Sequence, residues 1–345
     1  MSSGLIMYDL ETAILQLIAE YLVGGNMDTP AADWRLGRLS AFGAMNSDIE
    51  KIIHKNKTAI IKSVNKELDS TVENVFRELR SAVPGTVTRT ALIQRTIETH
   101  EKIALDRIGR GIETLAEKAG NHYAYSVNKA SMAVSTGEST LSAAVKRAVT
   151  ETAGTTLPPY IDKKGRMWSP EAYTNMSVRT EQRHIATETM FNAGDQLGTD
   201  LIQVSSHMGA RPGCEPYQGK IYSRNSEHPD YDNLYTDTSY GEAAGLNGIN
   251  CGHFFYPFIE GVSEKTFKEY PKKENKKRYE ESQQQRANER KIRAAKRHEK
   301  IERSGGNADK AAYYKQRTKE LQAEQREFIK RTGRTRRYER EQIYS

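Results

Sequence analysis

Between Met45 and Leu79, apolar side chains fall at Ile49, Ile52, Ile53, Ile60, Val64, Leu68, Val72, Val75 and Phe76. This three-and-four spacing lines one face of a helix, and Pro84 and Gly85 are its expected stop. A second stripe runs through Ile93, Ile97, Ala104, Ile108, Ile112, Leu115 and Ala119, with the polar His100 on the same face. Gly109 and Gly111 are expected to loosen its middle. Ahead of both, Ala13 to Val23 is apolar but short and interrupted by Gln16 and Glu20. It reads as an amphipathic helix rather than a membrane span or a leader. Residues 1–155 are thus expected to be a helical N-terminal region, whose long apolar faces pack on one another or on a partner subunit.

The pattern changes after Ala153-Gly-Thr-Thr-Leu-Pro-Pro159, where tyrosine, proline and glycine become frequent. Helical periodicity is then confined to about Ser169–Leu197. Ser169, Pro170 and Glu171 form a good helix start: a capping hydroxyl, a proline in the first turn and a carboxylate complementing the dipole. Gly198 is the expected end. Short β-like runs follow at Leu201–Ser205, Lys220–Ser223 and His253–Ile259, separated by loop-forming residues. Residues 165–263 therefore read as a small α+β domain, and the chain as a mostly helical α+β protein.

From residue 264 to 345 the chain is rich in Lys, Arg, Glu and Gln, and its apolar residues are sparse, Ile292, Ala294, Ala295 and Ile301 among them. Ser304-Gly-Gly-Asn307 should break this helical tail in two. Beyond the break, Tyr314, Leu321 and Phe328 recur every seventh residue. That is one line of a heptad without its companion, which favours docking on a partner over a self-sufficient coiled coil.

Charge sharpens this division. The net +7 hides 26 Lys and Arg against 14 Asp and Glu in residues 264–345, so the body of the chain carries a net −5. Apolar content of 37% over 345 residues suits modest domains with extended helices. Two cysteines exclude a disulfide-built scaffold and suit folding in a reducing cytoplasm.

The most informative text is Val204-Ser-Ser-His-Met-Gly-Ala-Arg-Pro-Gly-Cys-Glu-Pro-Tyr-Gln-Gly-Lys-Ile-Tyr222. Thr238-Ser-Tyr-Gly241 and Gly248-Ile-Asn-Cys-Gly-His-Phe-Phe-Tyr-Pro-Phe-Ile-Glu-Gly261 follow it. These ordered motifs resemble the phage minor capsid protein 2 family, related to the Mu F-like head morphogenesis proteins of tailed phages. The resemblance extends upstream through Tyr173 to Thr180 and downstream into the basic tail, covering roughly half of the chain. Gly252 departs from it, since relatives are expected to carry a basic side chain there.

The resemblance implies a minor structural protein of the head, not an enzyme. It further implies a place in the capsid interior near the portal, a role in head assembly or DNA delivery, and time in the host cytoplasm during assembly. The portal and other head proteins are the implied partners, with no membrane involved, and residues 165–263 would be the Mu F-like domain.

His207, Cys214, Cys251 and His253 supply one His and one Cys from each of two separated segments, a donor set that zinc accepts tetrahedrally. Residues two apart on a strand share a face, so Cys251 and His253 could share an ion. Two plainer readings stand beside it: buried structural thiols and imidazoles, or a disulfide. No cofactor is required by the resemblance, and zinc is the one candidate. The same residues offer a thiol and a base, so a metal-dependent DNA-acting nuclease is the competing enzyme reading, although no orienting third group or phosphate-binding loop accompanies them.

Arg211 reads as a loop-fixing donor, Gly209, Gly213 and Gly219 as turn residues, and Phe254, Phe255, Tyr256 and Phe258 as core. In the tail, three clusters are candidate nonspecific contacts to double-stranded DNA: Lys272, Lys273, Lys276, Lys277 and Arg278; Arg290, Lys291, Arg293, Lys296 and Arg297; Arg331, Arg334, Arg336, Arg337 and Arg340. A nonspecific DNA-binding protein is accordingly the third functional class. Interspersed acids equally suit a solvated mixed-charge helix or a protein-binding surface.

Overall fold

The computed structural model describes residues 2–82, 87–158, 160–161, 165–226 and 228–344. Pro84 and Gly85, the expected helix stop, and Pro159 of the expected linker lie outside the described residues. The protein is a mostly helical α+β structure. Its helices are α1 (Ser3–Val23), α2 (Ala31–Ser40), α3 (Phe42–Ala82), α4 (Ala91–Ser135), α5 (Leu141–Gly154), α6 (Pro170–Gln196), α7 (Lys272–Ser304) and α8 (Ala308–Thr332). The strands are β1 (Tyr160–Ile161), β2 (Met167–Trp168), β3 (Leu201–Val204), β4 (Ile221–Ser223) and β5 (Phe255–Pro257). Two compact units gather discontinuous segments: Met1–Ile61, Ile108–Thr174 and Gln285–Ser345 in the first, Lys62–Arg107 and Asn175–Gln284 in the second.

Both long stripes form as the periodicity predicts. Met45, Ile49, Ile60, Val64, Leu68, Val72, Val75, Phe76 and Leu79 of α3 are buried, as are Ile93, Ile97, Ala104, Ile108, Ile112, Leu115 and Ala119 of α4. Gly109 and Gly111 do not interrupt α4. A glycine costs a helix about 1 kcal/mol relative to alanine, too little to stop one anchored by so many buried side chains.

In the first unit, α1 packs on α5 and buries Leu10, Ile14, Leu15, Ile18 and Leu22. The amphipathic pattern of its later half gives way upstream, where Asp9, Glu11 and Thr12 are buried too. The covering comes from the basic tail. The Arg293 and Arg297 guanidinium groups lie over the Tyr8 ring, and the Tyr344 amide donates to Asp9. Tail and α1 thus meet through ion pairs and cation–π contacts, which apolar periodicity does not reveal.

The tail breaks at Gly305 and Gly306, as expected. A Cβ at Gly305 would lie 2.4 Å from Val149 Cγ1 of α5, so this turn tolerates no side chain. The single heptad line of α8 finds a companion within the chain, because Leu321 packs with Ile292 and Ala295 of α7 and with Tyr314. The antiparallel pair of β1 and β2 also belongs to this unit. Two-residue strands carry too little alternation to be read in advance.

In the second unit β3 is the centre of an antiparallel sheet ordered β4-β3-β5. Ile202 pairs with Tyr222 on one side and Pro257 on the other. All of β3 is buried, and its apolar face joins Cys214, Tyr222, Leu234, Leu246, Cys251 and Phe255 in one cluster. Helix α6 begins as predicted, with the Ser169 hydroxyl accepting from the Ala172 amide, and Gly198 follows it at φ +70°.

Candidate metal centre

Two loops build the centre. The first leaves β3, runs through His207 and ends at Cys214, just before a short 3-10 turn, Glu215–Tyr217. Asn275 near the start of α7 holds its middle, accepting from the Gly209 and Ala210 amides and donating to the Ala210 carbonyl. The second loop carries Cys251 and His253 into β5. Arg211 ties the two together, donating to the Ile249 carbonyl at 2.6 Å and the Gly245 carbonyl at 2.5 Å. This is the loop-fixing part foreseen for it. Gly213 permits the approach, since a Cβ there would stand 2.3 Å from the Ala244 carbonyl oxygen. Asn250 turns the chain into Cys251 at φ +57°, a conformation asparagine tolerates better than most residues.

Cys214, Cys251 and His253 come together, their ligand atoms all within 4.8 Å of one another. They are 0%, 4% and 1% exposed. Cys251 and His253 precede β5 rather than lying in it, yet they share a face, with Sγ to Nδ1 at 3.8 Å. The fourth predicted residue, His207, stands outside this triangle: its ring lies 4.5 Å from the His253 ring at 37°, with solvent on its other side. Gly252 makes room for it, because a Cβ there would press to 3.3 Å from His207 Cε1.

The electrostatics favour one shared proton between the thiols. The hydrogen bond from Cys214 lowers the pKa of Cys251, outweighing burial. The same bond, with burial, raises Cys214. Arg211 Nε also donates to Cys214 Sγ at 3.2 Å. Burial of its covered side, with His253, lowers His207 to about 4, so its imidazole is neutral at physiological pH. Gln218, which sequence reasoning passed over, accepts from the His207 amide at 3.1 Å and faces His253 Nε2 at 3.4 Å.

A second cluster lies on α4 and α6. His100 Nδ1 meets Glu181 at 2.6 Å and Nε2 meets Glu188 at 3.1 Å, while Arg107 reaches Glu181 at 2.5 Å and His184 lies 3.7 Å away. Only the place of His100 on an apolar face announced it. With both imidazole nitrogens held by carboxylates, this is an ion network built around a cationic His100.

The basic candidates divide. Lys272, Lys273, Lys276, Lys277, Arg278, Arg290, Lys291, Arg331 and Arg337 are exposed. Arg293 and Arg297 are not: at 3% and 8% exposed, they pair with Glu171 and Glu11, which corrects their expected availability to phosphate. Lys296, Arg334, Arg336 and Arg340 are partly buried, facing Gln342, Gln285, Glu341 and Glu289 respectively. Of the aromatic run, Phe255 and Phe258 are core, with Phe255 packed against Phe191 and Tyr240, while Phe254 and Tyr256 are half-buried, Phe254 beneath Arg183.

The donor cluster is buried, and α1 and α7 are stitched together by an ion pair. Comparison with known proteins gives the family. The chain matches the family described as Phage minor capsid protein 2 over residues 5–330, and it belongs to that family. A structural protein of Lactococcus phage LL-H is 28% identical over 333 residues, covering 90% of this chain and 89% of that protein. A structural protein of Lactococcus phage mv4 is 34% identical over 117 residues, which is 34% of this chain and 94% of that protein. No solved structure matches. The protein is thus a structural component of a phage virion, and the resemblance read from the motifs holds over nearly the whole chain. No described helix is long and apolar enough to cross a membrane.

Proposed function

We propose that this minor capsid protein lies inside the head beside the portal and assists head assembly or DNA delivery, touching packaged double-stranded DNA without reading its sequence. It passes through the host cytoplasm during assembly, and residues 165–263 serve as its Mu F-like part. The observation that carries the DNA contact is the division of the tail's charge. Arg293 and Arg297 are spent on internal carboxylates, whereas Lys272, Lys273, Lys276 and Lys277 stand exposed on the first turns of α7. Exposed lysines of this kind neutralise phosphates and release counterions, giving salt-sensitive, sequence-independent affinity.

The role is structural, so supercoiled plasmid incubated with the protein and magnesium or zinc stays intact. The test of DNA binding is a titration of duplex DNA at low and high salt, with the native chain and a Lys272→Gln, Lys273→Gln, Lys276→Gln, Lys277→Gln variant. The salt slope should fall by about 0.9 for each phosphate that the variant no longer neutralises, and equal slopes would overturn the proposal. Cross-linking in assembled heads tests the portal neighbour, with portal adducts expected and adducts confined to the outer shell contradicting it.

A further inference from the structure

Cys214, Cys251 and His253 are buried and converge on one another. Gln218 Oε1 faces His253 Nε2, so that nitrogen carries the ring proton. His253 Nδ1 then turns its lone pair toward Cys251 Sγ, 3.8 Å away, and the Cys214 sulfur completes a triangle whose ligand atoms all lie within 4.8 Å of one another. Two sulfurs and an imidazole nitrogen converging in a buried space form a donor set that a soft cation can share.

We propose that Cys214, Cys251 and His253 hold one zinc ion and that His207 closes the coordination as its fourth donor. Zinc–sulfur and zinc–nitrogen bonds of about 2.3 and 2.0 Å at a tetrahedral angle put sulfur and nitrogen about 3.5 Å apart, close to the 3.8 Å between Cys251 Sγ and His253 Nδ1. Two imidazoles sharing such an ion have ring centres about 5 Å apart, and His207 stands 4.5 Å from His253.

The surroundings fit as well. Arg211 Nε donates to Cys214 Sγ and Gln218 fixes the His253 tautomer, the outer contacts that orient zinc ligands. Solvent at His207 provides a way in for the ion, while Cys214 and Cys251 lie in the hydrophobic cluster and His253 is buried beside them. Thiolate with imidazole selects zinc over magnesium or calcium, which take oxygen ligands. The ion would staple the loop after β3 to the loop before β5, and so tie both to the sheet.

The experiment is elemental analysis of the full chain, purified without a histidine tag from zinc-supplemented cells. About one zinc per chain is expected, together with a lower thermal midpoint after chelation. Cys214→Ser, Cys251→Ser and His253→Gln should lose the ion, and His207→Ala should weaken zinc affinity at least about tenfold. Should the cysteine variants fail to fold, cobalt added to the metal-stripped native chain serves instead, with a tetrahedral visible band and thiolate charge transfer expected. A native chain that holds no zinc and takes none up, or one lighter by two hydrogens through a Cys214–Cys251 disulfide, overturns the site. A His207→Ala chain that binds zinc as tightly as the native one overturns the fourth-donor assignment.

Discussion

Glu11 of α1 and Arg297 of α7 form a buried ion pair at 3.1 Å, although 286 residues separate them in the chain. The other oxygen of Glu11 accepts from the Leu157 amide at 2.7 Å and the Thr156 hydroxyl at 2.8 Å. One carboxylate therefore joins α1, the segment after α5 and the tail. Removing one partner of a buried pair strands the other charge, at a cost of about 3–5 kcal/mol. Glu11→Ala and Arg297→Ala should each destabilise the protein by that order in chemical denaturation. A Glu11→Leu, Arg297→Met double variant should recover much of the stability, because no charge is left unpaired.

The His100 network makes stability depend on pH. Burial pulls the His100 pKa down, but the hydrogen bonds to Glu181 and Glu188 outweigh it and carry it from 6.5 to about 9. This contribution is full below pH 6.5 and is lost as pH rises through about 9. Burial pushes Glu181 up, but His100, His184 and Arg107 carry it from 4.5 down to about 2, so its contribution is full above pH 4.5 and fades as pH falls toward 2. The stability lost in His100→Gln should thus be greatest between pH 4.5 and 6.5 and shrink at alkaline pH. Denaturation midpoints of both chains from pH 4.5 up through about 9 check this, and a difference that stays constant over that span would contradict it.

Arg211 should govern access to the cysteines. Its guanidinium serves two carbonyls and one sulfur at once, a fork that the single ammonium of lysine does not reproduce. In the native chain both thiols should react slowly with iodoacetamide. Arg211→Ala and Arg211→Lys should each speed that reaction at least about tenfold, since loosening the loops admits the reagent to groups that local opening alone exposes. Unchanged labelling rates would show that the loops hold together without it.

The division of the tail predicts two kinds of arginine variant. Arg293→Gln should lower the thermal midpoint while leaving DNA affinity nearly unchanged, because this side chain is closed in on Glu171. Arg290→Gln and Lys291→Gln together should do the reverse, since both are exposed and single surface substitutions usually move stability by less than about 0.5 kcal/mol. Calorimetry and a DNA titration on the same preparations separate the two effects.

Amphipathic helices were legible because burial imposes a period: the stripes from Met45 to Leu79 and Ile93 to Ala119 are buried except at Ile52 and Ile53, which are half-buried. The start of α6 was legible because capping is local, fixed within Ser169 to Ala172. The cover over α1 was not. Its contacts are Glu11 with Arg297 and Arg293 over Tyr8, and neither leaves a periodic trace in a tail where charge is everywhere. In the candidate centre, the donor residues could be read from type and spacing, but the parts of Gln218 and Asn275 depend on how the loops meet. Glu181 is one carboxylate among many until α4 and α6 bring it to His100.

The central claim is that this structural protein occupies the interior of the head. Intact, DNA-filled heads treated with protease and then washed should retain the full-length chain by mass spectrometry, whereas heads opened and emptied before treatment should lose it. A chain digested equally in intact and opened heads would place it on the outer surface and contradict the account.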